Sequence, residues 1–468
     1  MMVTPLTLRL YSEQVNRLFL QQTRSISFDN RLCLSKLFLP TVIHPKDAPK
    51  NDKLCNSQRL MIEMGLMKHA GPGTYHILPF AWRAVEKLTK LIDEQMAMVG
   101  AQKMVMPTLG AAGLWKKSNR WDIMDTELYK LKDRHGVEHC LSPTHEEAIT
   151  SLVAADINLS YRNLPIRLYQ ISQKFRDEQR PRFGLLRTRE FLMKDLYTFD
   201  TSVESAMLTY ESVCEAYARL FDKLNVQYVK VQGATGEIGG STSHEYHFLS
   251  TLGEDDIYTC SDCGYGANVE TIEYDKQPQC TKGKSKEDCA IKLTKGIEVG
   301  HAFYLGKKYS EIFKTQFTND QKQKQLVEMG CYGLGVTRIL AGAIEVLSSE
   351  TEIRWPSLIA PYQICIILPQ QGSKEESLMS TCLSLHDKLM SDNHQLKGEI
   401  VIDDRQNLGI GKRLKNACCL GYPMVVVCGR DLLKDIPHFE VHLLNSKEKM
   451  SLTVEEVVKK ASQLEGAL

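Results

Sequence analysis

Residues 175–191, FRDEQRPRFGLLRTREF, hold Arg176, Arg180, Arg182, Arg187 and Arg189 and no lysine. A solvated charged face mixes the two cations freely, whereas a guanidinium presents a planar fork of donors that fits phosphate or carboxylate. Alternate residues of a strand share a face. Arg176 and Glu178 therefore point one way on an outgoing strand, and Arg187, Arg189 and Phe191 share a face on a returning one. Paired as a hairpin, the two strands offer guanidinium forks, a carboxylate and an aromatic ring on one surface. That surface suits a nucleotide: arginine neutralises phosphate, the carboxylate accepts from an exocyclic amine, and the ring stacks on the base. Salt bridges within the sheet, Arg176 with Glu190 for instance, would use the same residues structurally, and taken alone the two readings stand level.

The stretch GCYGLGVTR adds a third group. Gly330, Gly333 and Gly335 let a ligand come close to the backbone. Arg338 then falls in the first turn of a helix, where the dipole and free N–H groups already favour an anion. Glycines in this order match a dinucleotide fold only weakly, because no short βαβ unit follows with an acid at the required distance.

These groups need elements to hold them. FAWRAVEKLTKLIDEQMAMVGA predicts an amphipathic helix, with Trp82, Val85, Leu88, Ile92 and Met96 or Val99 on its apolar face. AQKMVMPTL predicts a strand ending near Pro107. VEHCLSPTHEEAITSLVAADI predicts a strand, a turn at Ser142 and Pro143, and a helix. RLYQISQKFRDE and TREFLMKDLYTFD predict two strands joined by a loop with Pro181 and Gly184. Residues 277–295, polar and lysine-rich, predict a loop. Beyond Ala360, the apolar strands QICIILPQ, KGEIVIDD and PMVVVCG alternate with helical stretches, as in a small α/β domain with a largely parallel core.

Composition sets the bounds. The chain has 468 residues, 43% hydrophobic and 25% charged, with a formal net charge of +1. No global field attracts a polyanion, so any such partner must meet a local patch. No apolar run is long enough to span a bilayer. The 14 cysteines include the adjacent Cys418 and Cys419 and are irregularly spaced, as expected of buried free thiols in a reducing compartment. Cys260 and Cys263 form a CxxC, but Cys280 and Cys289 follow without matching spacing, so no metal site is expected. Residues 1–28 carry Arg9, Arg17 and Arg24 with one acid, Glu13, and an apolar stripe from Leu8 to Leu20, the composition of a mitochondrial transit peptide.

A helix leading to a strand with Pro107, a strand pair around FRDE, and GLGVTR in a strand and helix occur in that order. The order resembles motifs 1, 2 and 3 of the class II aminoacyl-tRNA synthetases, near residues 82–109, 170–200 and 328–347. LSPTHEE, GGSTSHEYHFLS and GIEVGHAFYLGKKYS extend the likeness to the bacterial-type prolyl-tRNA synthetases and their mitochondrial members. The resemblance implies an α/β (α+β) fold: an antiparallel-sheet catalytic domain over residues 29–358 and an α/β anticodon-binding domain over residues 359–468. It implies ATP and Mg2+, L-proline and tRNA(Pro), a homodimer in the mitochondrial matrix, and no membrane.

Carried over residue by residue, Arg176 and Arg338 would be catalytic. Arg176 would bridge the α-phosphate and the proline carboxylate, and Glu178 would accept from adenine, with Phe191 stacking on it. Arg187 and Arg338 would hold the outer phosphates, with Thr188 in the same nucleotide site. Thr144 and Glu146 would receive the proline amine, and His244 would help close that pocket. His301 would line the pocket or pack beneath it. In DDRQNLGIGKRLKNA, the residues Arg405, Lys412 and Arg413 would touch tRNA.

The relatives carry an editing domain between motifs 2 and 3, for which this chain has no room, so the chain is expected to lack editing in cis. A non-catalytic synthetase-like accessory subunit is the alternative, although the retained Arg176, Glu178 and Arg338 speak against it. A threonine or serine synthetase is a further one.

Overall fold

The computed structural model describes residues 31–40, 55–236, 238–260, 265–272 and 291–464. The expected transit peptide over residues 1–28 lies outside the described residues, as do Cys263, Cys280 and Cys289.

A nine-stranded, mainly antiparallel sheet frames the first unit. Five strands matter for the site: β1 (Ile166–Phe175), β2 (Glu190–Asp200), β3 (Thr242–Leu249), β4 (Ile291–Gly306) and β5 (Glu328–Gly335). β1 pairs antiparallel with β2, β2 with β5, β5 with β4, and β4 with β3. The register sets Lys174 opposite Phe191 and Gly333 opposite both Asp195 and His301.

Helices α1 (Pro79–Met98), α3 (Val203–Leu224) and α4 (Val336–Leu347) cover one face. Between α1 and α3 in the chain, α2 (Glu146–Ala154) lies on the other face, where Ile149 and Val153 pack with Tyr197, Phe199 and Phe303. Pro79 opens α1 at a position where its missing N–H costs nothing. Val85, Leu88, Ile92 and Met96 are buried, as their spacing predicts. Trp82 departs from the expectation: it is 40% exposed, and its Nε1–H donates to Glu86 at 3.0 Å. The buried stripe runs instead through Ala81, Ala84, Val85 and Leu88, which leaves position 82 on the flank.

The strand expected before Pro107 shrinks to Gln102–Lys103, paired with β1, and Val105 is 86% exposed. The lysine-rich loop expected over residues 277–295 also shrinks. Residues 291–295 belong to β4, where they pair with Asp256–Cys260, and the earlier part lies outside the described residues.

The second unit has three parallel strands, β6 (Ile364–Ile367), β7 (Ile400–Asp403) and β8 (Met424–Val427), with β6 in the middle. All their residues are buried, as parallel strands covered on both faces require. Two antiparallel strands, Phe439–Leu443 and Glu448–Leu452, complete the sheet. Arg83 and Lys87 of α1 reach Glu399 at 2.6 and 2.5 Å, and Arg83 lies over the Tyr362 ring, so charge and stacking join the two units. Residues 31–36 also cross the expected boundary: Cys33 bridges to Ile402 of β7.

Candidate active site

Arg176, Glu178, Arg187, Thr188, Phe191 and Arg338 all line one cavity of about 840 Å³. The alternation of β1 and β2 produces the first pairing. Arg176 follows the end of β1, its N–H continues the ladder to Arg189 O at 2.9 Å, and its guanidinium lies 5.4 Å from the Phe191 ring centre. Its buried Nε has no acceptor among the described residues. Burial, then the charge of Arg338, pushes the Arg176 pKa down. Two cations that repel each other in a poorly solvated place form a site for a shared anion.

Arg338 stands in the first turn of α4 and donates through Nη1 to Glu298 O at 3.0 Å and to the Glu298 carboxylate at 3.4 Å. Burial pushes the Glu298 carboxyl up, but His301 and Arg338 outweigh it and hold the group well below the usual carboxylate range. The salt bridge considered from the sequence, Arg176 with Glu190, does not form among the described residues. The ion pairs run to other partners: Arg187 Nε to Glu178 at 2.8 Å, Arg187 Nη1 to Glu254, and Arg182 to Glu254 at 2.7 Å. Arg189 turns to Glu178 O at 3.0 Å.

The glycines divide between two jobs. Gly330 faces the helices, where a Cβ would meet Tyr332 Oη at 2.4 Å, so protein packing requires it. Gly333 faces the site, and its nearest neighbour, Met193 Sδ, is 3.7 Å from a Cβ position, which leaves the backbone approachable there. Only the second job is the one read from sequence.

Beside the cavity lies a buried polar cluster. Thr144 Oγ1 is 2.6 and 2.7 Å from the two oxygens of Glu146, Cys331 Sγ donates to Glu146 at 3.2 Å, and Arg120 donates at 3.0 Å. Glu146 is fully buried, so an incoming amine reaches it only by replacing one of these partners. Arg120 also serves Glu147, at 3.1 Å. Burial pushes both carboxyls up; the Arg120 charge brings Glu146 below its usual value, while Glu147 stays above. Tyr197 Oη accepts from His145 N–H at 2.8 Å and donates to Asp195 at 2.9 Å, and Lys174 holds the other Asp195 oxygen at 2.7 Å. Sequence reading missed Arg120, Lys174, Asp195 and Tyr197. Polar residues alternating inside the apolar run FLMKDLYTFD were the available signal.

His244 is a correction. It lies opposite Ala302, on the face that α3 covers, and its Nδ1 is 2.7 Å from Tyr210 Oη. Its neighbour Ser243 takes the site face, with Oγ 3.0 Å from His301 Nε2; His301 Nδ1 is 3.0 Å from Glu298. A one-residue change of parity moves a side chain to the opposite face, so His301 lies on the sheet face that carries Ser243 and Glu298, and His244 lies on the face that α3 covers.

The expected tRNA contacts separate as well. Lys412 is exposed at the start of the helix Ile410–Leu420. Arg405 is forked to Asp403 at 2.9 and 2.7 Å and keeps partial exposure. Arg413 is fully buried and donates to Asp403 O at 3.3 Å, so it supports the strand end from beneath and cannot reach a base from this position.

The fold and cavity are those of a class of enzyme. Residues 129–347 match the tRNA synthetase class II core domain (G, H, P, S and T), and residues 363–464 match the anticodon binding domain. A probable mitochondrial proline–tRNA ligase of Mus musculus is 51% identical over 92% of this chain and 90% of its own length. One of Schizosaccharomyces pombe is 41% identical over 80% of this chain and 86% of its own length. A prolyl-tRNA synthetase from Cryptosporidium parvum, crystallised with L-proline and AMP, shares the fold at TM-score 0.68 and 17% identity, covering 87% of this chain and 75% of that one. The chain belongs to the proline–tRNA ligases, in their mitochondrial branch.

Proposed function

We propose that the chain attaches L-proline to tRNA(Pro) in the mitochondrial matrix, through a prolyl-adenylate. The observation that carries this is the meeting of Arg176, Arg187, Arg338, Glu178 and Phe191 in one cavity. In the first step a proline carboxylate oxygen bonds to the α-phosphorus of ATP, the bond to the β-phosphate oxygen breaks, and pyrophosphate leaves. Two anions must meet, so positioning and charge neutralisation lower the barrier, and no nucleophilic side chain is needed. Arg176, in the wall of the cavity and within the electrostatic influence of Glu146, bridges the two anions. Arg338 and Arg187 hold the outer phosphates, Thr188 lies in the same wall, Phe191 stacks on adenine, and Glu178 accepts from its amine. Thr144 and the buried Glu146 meet the proline amine, with Ser243 and His301 in the wall that sequence reading gave to His244. In the second step a ribose hydroxyl of the terminal tRNA nucleotide takes the prolyl group, and AMP leaves.

Among the described residues no group of three His, Cys, Asp or Glu side chains is arranged to hold a metal, and Glu254 and Glu298 are already engaged with arginines. In this reading magnesium enters as part of the nucleotide substrate, MgATP. Lys412 and Arg405 of the second unit face tRNA. Met98, Val105 and Leu109, exposed by 64%, 86% and 49% around the first motif, are apolar surface for a second copy in a homodimer. Residues 1–28 are a removable presequence, and among the described residues no domain for editing interrupts the catalytic unit.

The test is amino-acid-dependent ATP–pyrophosphate exchange with the purified protein. Exchange with proline, and none with threonine or serine, supports the reading. Exchange with no amino acid would return the chain to the non-catalytic alternative.

A further inference from the structure

Residues 31–36 do not stay with the unit that follows them in the chain. Leu32 O accepts from Ile402 N–H at 2.8 Å, and Cys33 pairs with Ile402 as a parallel bridge, so the segment widens the C-terminal sheet beyond β7. Forked contacts clamp it on both sides of that bridge. Arg31 donates through Nε and Nη2 to the two carboxylate oxygens of Asp387, at 3.0 and 2.7 Å, on the helix Met379–Asp392. Ser35 donates from its N–H at 2.9 Å and its hydroxyl at 2.5 Å to the two oxygens of Asp404. Leu34 is buried between these clamps. The chain then returns to the catalytic unit, where Pro40 packs so closely on Gly65 that a Cβ there would lie 2.7 Å from its carbonyl carbon.

Segments outside the core elements are ordered only where something ties them down, and here Arg31, Leu32 and Ser35 are tied to the other unit. Asp404 lies in the turn between Asp403 and Arg405. Its carboxylate is engaged by Ser35, and Arg405 is paired with Asp403. Released, that carboxylate is free to compete for Arg405 and to repel RNA phosphate.

We propose that residues 31–36 are a positioning strap for tRNA recognition: Ser35 and Arg31 fix the turn that presents Arg405 to the RNA. The proposal rests on the reading of the second unit as the tRNA-binding part. It also requires that removal of the presequence leave Arg31 in place.

The experiment uses the full chain with Arg31→Ala and Ser35→Ala together, and separately Ser35→Ala and Ser35→Thr. The expected result for the double variant is a tRNA KM raised about tenfold, the scale for losing charge-assisted bonds. Its kcat for charging and its proline-dependent ATP–pyrophosphate exchange stay near those of the parent, and Ser35→Thr, which keeps the hydroxyl, restores the loss seen with Ser35→Ala. An unchanged tRNA KM overturns the proposal. So does an equal fall in exchange and charging, which would mark the strap as a general structural element. A parent that supports exchange but charges no tRNA would instead bring down the reading beneath the proposal, and the proposal with it.

Discussion

Arg187 is shared by two carboxylates, with Glu178 2.8 Å from its Nε and Glu254 on its Nη1. Glu254 also holds Arg182 at 2.7 Å. A triphosphate that uses Arg187 must displace Glu254. Glu254→Gln should therefore lower the ATP KM several-fold, and Arg187→Ala should raise it about tenfold, each with little change in the proline KM. Steady-state exchange at varied ATP measures both. Changes of the same sign in the two variants would contradict competition for Arg187.

Arg120 is fully buried between Glu146 and Glu147, at 3.0 and 3.1 Å. Removing one partner of a buried ion pair leaves charge without compensation, at a cost of about 3–5 kcal/mol. Arg120→Met should lower the unfolding temperature markedly and raise the proline KM, because Glu146 loses the cation that holds it. Thermal unfolding and proline titration together check this; a variant of parental stability would show that the cluster is not strained by the loss.

Lys194 is another buried cation, and it points the other way, toward Tyr217 and Tyr332 O on the helix side. Burial lowers its pKa to about 7, against a partial lift from Asp195 and Cys331. Between pH 7 and the ordinary lysine value of 10.5 the unfolded chain binds the proton more than the folded one does. Stability contributed by this residue therefore rises with pH across that window. Unfolding temperatures of the parent against Lys194→Met, from pH 7 to pH 9, should converge or cross as pH rises. A constant difference between them would argue against a depressed pKa.

The interval between the second and third motifs is expected to be too short for an editing domain. A pocket shaped for proline rejects the smaller alanine by only about 1–3 kcal/mol. The purified protein should misactivate alanine in exchange and should not hydrolyse alanyl-tRNA(Pro). Release of alanine from that tRNA above the uncatalysed rate would contradict the expectation.

The nucleotide half of the site was legible because strand alternation and a run of arginines share one stretch of chain. Arg176 and Phe191 follow directly from the period of two, and Arg338 from a glycine strand running into a helix. Loop contacts were not legible: Glu254 meets Arg182 and Arg187 from a distant part of the chain, and nothing in its neighbourhood distinguishes it. His244 failed on parity. GGSTSHE places a histidine in the right strand, but which face α3 covers is decided by packing with Tyr210 and Tyr217. Trp82 and Arg413 failed in opposite ways, one large apolar residue left on a flank and one cation drawn inside. The strap over residues 31–36 was invisible because its partners lie more than 350 positions away in the chain.

In the proposed chemistry Arg176 joins the two anions of the first step. Proline-dependent ATP–pyrophosphate exchange by Arg176→Ala tests it most directly. Exchange should fall by roughly two orders of magnitude or more, the scale for losing one preorganised donor to developing charge, in a protein that still unfolds at the parental temperature. Exchange within a few-fold of the parent would contradict it.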